Sequence, residues 1–246
     1  MIVRDTGEAW QLVLQTDHAD LAAGFARAWA DPGPRHESLV IAARRHDDGW
    51  AVWERSPLVH PDGTPVSFLD VAVPAHLAFY RACIASVTDE DAYAGLLVSM
   101  HGAGIYRQRY GADPGLVLTH ADDVRELVNR FVWEQEEAYP AREAAAGVDE
   151  QRRLADYRLL QLYDRLSLHF CMRDVAREGA ELQGTRVEPA GAWRVRLDPF
   201  PFAEEPARFE LVRRVLPKRE RSQREFAREL LEIEPERVEI AIEAGG

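Results

Sequence analysis

The stretch Ala43-Arg44-Arg45-His46-Asp47-Asp48-Gly49-Trp50 constrains this chain more than any other. An imidazole and a carboxylate are adjacent, and a glycine follows one residue later. Upstream runs Leu39-Val40-Ile41-Ala42-Ala43, an apolar run of helix-compatible length; downstream, Trp53, Pro57, Pro61 and Gly63 read as loop. The His-Asp pair therefore falls where a helix stops at a turn. Inside a helix, successive side chains are about 100° apart and cannot share a target. At a helix end the backbone can turn and aim both at one point. A metal ion is the commonest reason to converge a neutral nitrogen donor and a hard oxygen donor. A surface turn with an Asp cap and an incidental His gives the same dipeptide, so the rest of the chain has to decide.

With 246 residues, 46% hydrophobic and 29% charged, the chain can bury one sizeable core with a small appended subdomain. The formal net charge of -12 excludes binding of nucleic acid or an anionic membrane through a generally basic surface, and leaves room for a local basic site for a small phosphate ligand. Cys83 and Cys171 have no paired spacing, so neither a disulfide framework nor a zinc ribbon is expected. The opening Met1-Ile2-Val3-Arg4-Asp5 is not a basic-then-apolar leader, and no apolar run approaches the roughly 20 residues that span a bilayer. The expectation is a cytoplasmic protein whose partner is a small molecule; a homo-oligomer is left open.

Residues 2–4 and 10–15 read as short strands around a turn at Thr6-Gly7-Glu8. From Asp17, a capping candidate, apolar positions fall at Leu21, Ala22, Phe25 and Trp29, which is helical spacing, and His18 lies on that stripe. Taken alone, such a His is more often a hydrogen-bonded core residue than a ligand. Glu37 to His46 forms the second helix. Residues 51–73, rich in Pro, Gly and aromatics, read as a long loop, functional or passive. Pro74 starts a third helix carrying Leu77, Tyr80, Arg81 and Ile84; Asp89 or Asp91 starts a fourth that ends at His101, where Gly102 and Gly104 interrupt it. Residues 120–145 and 150–178 read as two longer helices. On the latter, Leu160, Tyr163, Asp164, Ser167 and Cys171 share one side; an Asp there is either exposed or has a cation. From about 185 the character shifts: 193–197, 209–215 and 238–242 look like strands, with a short helix over 222–231. This tail can form a small sheet with the N-terminal hairpin. The basic run from Arg213 to Arg224 is interleaved with Glu220 and reads as a solvated face.

Put in order, His18, His46-Asp47, His101 and Asp164 make a cage of nitrogen and oxygen donors suited to a first-row divalent metal. The pattern resembles the HD-domain superfamily of metal-dependent phosphohydrolases, over roughly residues 15–178. His18-Ala19-Asp20-Leu21-Ala22 is similar to that family's first helix, His46-Asp47-Asp48-Gly49 to its HD turn, and Asp164-Arg165-Leu166-Ser167 to its last ligand motif. More closely, Gln15-Thr16-Asp17-His18, His46-Asp47-Asp48-Gly49-Trp50, Ser99-Met100-His101-Gly102 and Tyr163-Asp164-Arg165-Leu166-Ser167-Leu168 resemble an uncharacterised, mostly bacterial family known only as a domain of unknown function, over nearly the whole chain.

The expected fold is mainly α: an HD-like helical bundle over residues 1–184 with an N-terminal hairpin, and a small α+β extension over 185–246 packed on it, the termini together making a small β element. The HD resemblance implies that His18, His46, Asp47 and Asp164 bind a divalent ion (Mn, Fe, Ni, Co or Zn; one or two ions), that His101 completes a second metal site or contacts phosphate, and that the ion activates water for attack on phosphorus. Asp47, Asp48, His101 and Arg165 are then the catalytic candidates. Arg44, Arg45 and above all Arg165 are candidates to neutralise substrate charge, because guanidinium matches phosphate. Trp50, Trp53 and Phe68 are candidates to wall a pocket. His76, His120 and His169 are further histidines in less telling contexts. Trp50 stands where the branch that cleaves signalling dinucleotides commonly has Lys, which points away from that substrate. The expected activity is phosphohydrolysis of a small phosphorylated or nucleotide-like molecule. A di-iron oxygenase of the same fold, and a non-catalytic protein whose metal only ties helices together, are the alternatives.

Overall fold

The N-terminal residues fold as a hairpin, β1 (Ile2–Asp5) and β2 (Ala9–Val13), whose turn includes Gly7 at φ 93°, a backbone setting that favours glycine. Helix α1 (Gln15–Ala28) follows and buries His18, Leu21, Ala22 and Phe25 on the predicted stripe. It begins before Asp17, so Asp17 lies in its first turn, where it pairs with Arg214 at 2.7 Å instead of capping. Helix α2 (His36–Arg45) ends at His46. A 3₁₀ turn at Asp48–Trp50 leads into the short α3 (Ala51–Glu54). The computed structural model describes residues 1–31, 33–107 and 122–246, so His120 and the start of the helix expected at 120 lie outside the described residues.

Helix α4 (Val73–Glu90) has its proline in the first turn, as expected from its fixed φ, and α5 (Ala92–Tyr106) is capped by the Asp91 side chain accepting from Ala94 N–H at 2.7 Å. The expected break at Gly102 does not occur: α5 runs on to Tyr106, and His101 lies inside it. Gly102 serves packing instead. A Cβ there would stand 3.0 Å from the Tyr80 ring, so the glycine lets α4 and α5 close on each other. Helices α6 (Arg125–Ala146) and α7 (Glu150–Met172) complete the helical layer.

The expectation of a mainly helical bundle with a small β element is overturned. Of the described residues, 54% are helix and 21% strand, and their strands form one seven-stranded mixed sheet in the order β1-β2-β6-β7-β5-β4-β3. After α7 come β3 (Ala180–Leu182), β4 (Thr185–Gly191), β5 (Arg194–Asp198) and β6 (Ala207–Pro217), then α8 (Gln223–Glu232) and β7 (Glu236–Ala244). Strand β2 pairs antiparallel with β6, and β7 lies between β6 and β5, parallel to the latter. Two strands escaped the sequence reading for physical reasons. β3 has three residues, too few for a period-2 pattern, and β4 contains Pro189 and Gly191, at which its register slips. Their two-residue turn places Gln183 and Gly184 at φ 54° and 84°, as a type I′ hairpin requires. The boundary expected between 184 and 185 falls in that turn.

Helix α1 joins the two layers. Phe25 meets Phe209 of β6 edge-on at 4.7 Å, Phe202 at 6.0 Å and Phe170 of α7 at 6.3 Å; Phe25, Phe202 and Phe170 lie in the main core and the partly buried Phe209 packs against it. Each fully buried Phe contributes about 1.5–3 kcal/mol, so this cluster fixes α1 against the sheet and α7 against α1. Among the described residues, no helix is long and apolar enough to cross a membrane.

Candidate metal centre

Four helices and one helix end deliver polar side chains to a single place in this apolar interior. His18 comes from α1, His46 and Asp47 from the end of α2, Tyr80 from α4, His101 from α5 and Asp164 from α7, and every one is buried. The α2 end works as its sequence suggests. His46 keeps helical angles (φ -59°, ψ -24°), and Asp47 turns away at φ -118°, ψ 16°, which brings both side chains to one side. Gly49 makes the turn possible: a Cβ there would lie 2.2 Å from the Phe79 carbonyl oxygen, so only glycine lets the turn rest on α4. Trp50, 1% exposed, then packs on His76 and Phe79 at 5.2 Å each.

The donor atoms converge. His18 Nε2 is 3.1 Å from Asp47 Oδ2 and 3.8 Å from Asp164 Oδ1; His46 Nε2 is 3.4 Å from Asp164 Oδ1 and 3.7 Å from Asp47 Oδ2. Around a first-row ion with bonds of about 2.0–2.2 Å, donors at ordinary angles stand roughly 3.0–3.6 Å apart, close to this spread. His18, His46 and Asp47 alone form a set able to hold an ion. The far nitrogens are fixed. His46 Nδ1–H donates to the Ala43 carbonyl at 2.8 Å, and His18 Nδ1–H donates at 2.8 Å to Ser167 Oγ, whose own proton goes to the Asp164 carbonyl at 2.7 Å. Both Nε2 atoms therefore present lone pairs to the carboxylates, the orientation metal-binding histidines adopt. His46 Nε2 is buried without a hydrogen-bond partner. The residues fit a divalent ion.

The electrostatics show the same demand for a cation. Burial alone would raise the Asp47 carboxyl, yet His46, His101 and His18 hold it well below the usual carboxylate range; Asp164 is likewise lowered by His46 against its burial. For His46 burial works downward, and Asp47 and Asp164 outweigh it, lifting it to about 9. Without a metal, a proton on His46 is the cation between the carboxylates.

His101 plays a different part from the other two. Asp47 is ionised and can only accept, so the Tyr80 hydroxyl, 2.8 Å from Asp47 Oδ1, donates to it. Burial, reinforced by Asp47, holds the phenol well above its ordinary value. His101 Nε2, 3.1 Å from the same hydroxyl, must then be the donor in that contact, and burial lowers His101 so that it is neutral. Its Nε2 carries a proton rather than a free lone pair. Asp47 thus gives Oδ2 to the His18–His46 side and Oδ1 to Tyr80.

A cavity of about 80 Å³ opens on the centre. Trp50, Phe68, Leu69, Ile105 and Leu168 supply its apolar wall; Gln15, His76 and Arg165 join the centre's own residues as its polar lining. Gln15 Oε1 is buried without a hydrogen-bond partner. His76 Nδ1 meets the Tyr106 hydroxyl at 2.5 Å. Of the expected charge-neutralising groups, only Arg165 reaches this cavity. Arg44 stands exposed, 3.9 Å from Asp20, and Arg45 pairs with Asp48 at 2.6 Å and with Glu90, so Arg44, Arg45 and Asp48 lie outside its walls. Trp53 packs on Trp50 in a separate apolar cluster, and His169 lines a different cavity. Tyr80 was missed as a site residue because it reads as one more apolar position on α4. Its signal is that His76, four residues earlier, shares its buried face.

Comparison with curated proteins gives no match, and comparison with solved structures gives none. A family model matches residues 1–218, a span that holds the helical layer, every residue of the centre and six of the seven strands. The chain belongs to the family described as Protein of unknown function (DUF3891).

Proposed function

We propose that the protein is a metal-dependent phosphohydrolase of HD type, acting in the cytoplasm on a small phosphorylated or nucleotide-like molecule. The observation that carries this reading is the meeting of His18, His46, Asp47 and Asp164, far apart in sequence, around the orphaned Nε2 of His46 beside a cavity that Arg165 lines. His18 Nε2, His46 Nε2, Asp47 Oδ2 and Asp164 Oδ1 would hold one divalent ion of the Mn, Fe, Ni, Co or Zn group. When bound, such an ion lowers the pKa of water and polarises a phosphoryl oxygen.

The chain's own groups supply the rest. Arg165 balances phosphate charge from the cavity wall and orients the phosphoryl group. Tyr80 holds its proton toward Asp47 Oδ1 and keeps that carboxylate aimed; His101 Nε2–H holds Tyr80 in turn. Gln15 Oε1 offers an acceptor to a hydroxyl or N–H of the substrate. The apolar wall of Trp50, Phe68 and Leu168 excludes bulk water and strengthens each of these interactions. Because Tyr80 takes Asp47 Oδ1 and His101 Nε2 is a donor, the reading is of one ion.

The test is elemental analysis of protein purified without chelator, next to Asp47→Ala, followed by a screen of phosphate esters. One equivalent of transition metal, lost in Asp47→Ala, with phosphate released from at least one ester, is the expected result. Two irons per chain with oxygen uptake would replace the reading by an oxygenase; bound metal with no turnover of any ester or of oxygen would leave a structural site.

A further inference from the structure

Gln15 opens α1, and its side chain is out of keeping with the rest of the interior. The residue is 3% exposed, yet among the described residues no group donates to its Oε1. Other buried glutamines are tied down. Gln11 donates to the Cys171 carbonyl at 3.1 Å and accepts from Arg4 at 3.0 Å and Arg213 at 2.8 Å; Gln135 accepts from Ser99 at 2.9 Å. The backbone N–H of Gln15 goes to Glu54 Oε1 at 2.7 Å, so that part of the first turn is satisfied without the amide. A buried carbonyl oxygen without a donor costs stability, and a fold that keeps one needs a reason for it. Gln15 lines the same small cavity as His18, Asp47 and Asp164. It precedes His18 by three residues on α1, about 4.5 Å along the axis and on the same face, so the amide stands beside the donor atoms of the centre.

We propose that Gln15 sets the specificity of this centre, and that the substrate is a short phosphate monoester with a hydroxyl two or three carbons from the ester oxygen, a polyol phosphate rather than a nucleotide. The inference rests on the phosphohydrolase reading. Size is the first argument. The cavity measures about 80 Å³, whereas one that takes benzene measures roughly 150 Å³, so an aromatic base has no room beside the phosphoryl group. Spacing is the second. Side chains three apart on a helix have Cβ atoms about 5–6 Å apart, close to the span from phosphorus to such a hydroxyl. Chemistry is the third. A hydroxyl both donates and accepts, so it pairs with either end of the amide, whereas an alkyl tail leaves the amide unpaired among Trp50, Phe68 and Leu168. As the P–O ester bond breaks, the oxygen of water ends on phosphorus and a water proton on the leaving oxygen. The products are inorganic phosphate and a diol or triol.

The experiment uses full-length, Mn-loaded protein and two probes of nearly the same shape, 2-hydroxyethyl phosphate and propyl phosphate. The readout is kcat/KM for phosphate release from each, taken as a ratio within one preparation so that metal loading and folded fraction cancel. The hydroxyl probe is expected to be favoured about tenfold or more, because the alkyl probe leaves a buried polar group unpaired. Gln15→Met keeps the volume and removes the hydrogen-bonding groups. In it the two probes should come within about twofold of each other, while Tm holds or rises, since an unpartnered buried oxygen is gone. A lower Tm in Gln15→Met with the preference intact would mark a merely structural residue and overturn the proposal. Equal rates for the two probes in the wild type overturn it as well, water alone then meeting the amide. If neither probe is hydrolysed and a wider ester screen finds a substrate, the inference about Gln15 falls and the phosphohydrolase reading stands. If no ester releases phosphate, both fall.

Discussion

Replacing Tyr80 by Phe separates the two halves of the centre. The phenol donates to an ionised, buried carboxylate and accepts from His101 Nε2–H, and both partners are almost fully enclosed. A hydrogen bond to a charged group is worth roughly 1.5–3 kcal/mol, and a buried N–H left without its acceptor adds to the loss. Asp47 Oδ1, 3.6 Å from His101 Nε2, is too far to restore a normal bond. Loss of about 2–3 kcal/mol is therefore expected. For a chain of this size that lowers Tm by about 4–12 °C, at roughly 2–4 °C per kcal/mol. The ion should stay, because His18, His46, Asp47 Oδ2 and Asp164 are untouched. The assay is thermal melting of EDTA-treated and Mn-reconstituted protein, with metal content measured on the same samples and the His101 tautomer read from ¹⁵N shifts. A Tm within about 1 °C of wild type, a variant that purifies without its metal, or a His101 protonated on Nδ1 alone would each refute the assignment of Tyr80 as donor and His101 as its support.

Other substitutions probe separate links. Gly49→Ala puts a methyl into the Phe79 carbonyl and should cost about 3 kcal/mol or more, seen as a lower urea midpoint. Arg45→Ala should change metal content not at all and Tm by no more than about 4 °C, since it removes contacts outside the cavity, the ion pairs with Asp48 and Glu90 and a hydrogen bond to Ser86 Oγ; loss of metal would show that the α2 turn depends on them. Burial holds His76 down at about 4 against the pull of Asp47, whereas an unfolded His titrates near 6.5. Between those values the unfolded chain binds a proton that the folded one refuses. Stability is therefore unaffected above about 6.5 and falls as pH drops toward 4, by up to about 3 kcal/mol. In His76→Phe, the slope of stability against pH over that window should be shallower than in wild type; an unchanged slope would mean that His76 is protonated in the fold.

How much of this was legible in the sequence differs between the two layers. Helices α1 and α7 were readable because each shows a 3.6-residue apolar stripe interrupted by buried polar residues: His18 among Leu21, Ala22 and Phe25, and Asp164 and Ser167 among Leu160, Tyr163 and Cys171. A buried polar group on such a stripe needs a partner, and several such groups needing partners are most simply satisfied by one another or by an ion. The α2 turn was readable because His-Asp at a helix end followed by glycine has a local geometric meaning. The sheet was not readable to its full extent, because its order is set by pairings remote in sequence. β2 finds β6 some 200 residues away, and β5 finds β7 across α8. Nothing local marks Ala180–Leu182 as a strand except the turn that follows it. Gly102 illustrates the opposite error: read locally it breaks a helix, but the Tyr80 ring against it is a tertiary fact.

The energetic position of the centre argues that it is not there for stability. His18, His46, Asp47, His101 and Asp164 occupy core positions at 0 to 4% exposure, where apolar side chains of similar size would pack without any desolvation penalty. Buried ionic clusters are often no better than neutral against such replacements. The cluster also demands helpers. Ser167 and the Ala43 carbonyl fix the histidine tautomers, Gly49 lets the α2 turn rest on the Phe79 carbonyl, Gly102 opens space for Tyr80, and Tyr80 with His101 occupies the free oxygen of Asp47. A fold seeking only to tie helices together has simpler means, such as the Phe25 cluster a few turns away. What the polar arrangement provides, and an apolar one does not, is a set of donors able to hold an ion, His46 Nε2 among them, next to one small cavity that the Gln15 acceptor and Arg165 line. Under the proposed phosphohydrolase reading, that combination is why the Arg165 face of α7, rather than the sheet, is where substrate should be sought.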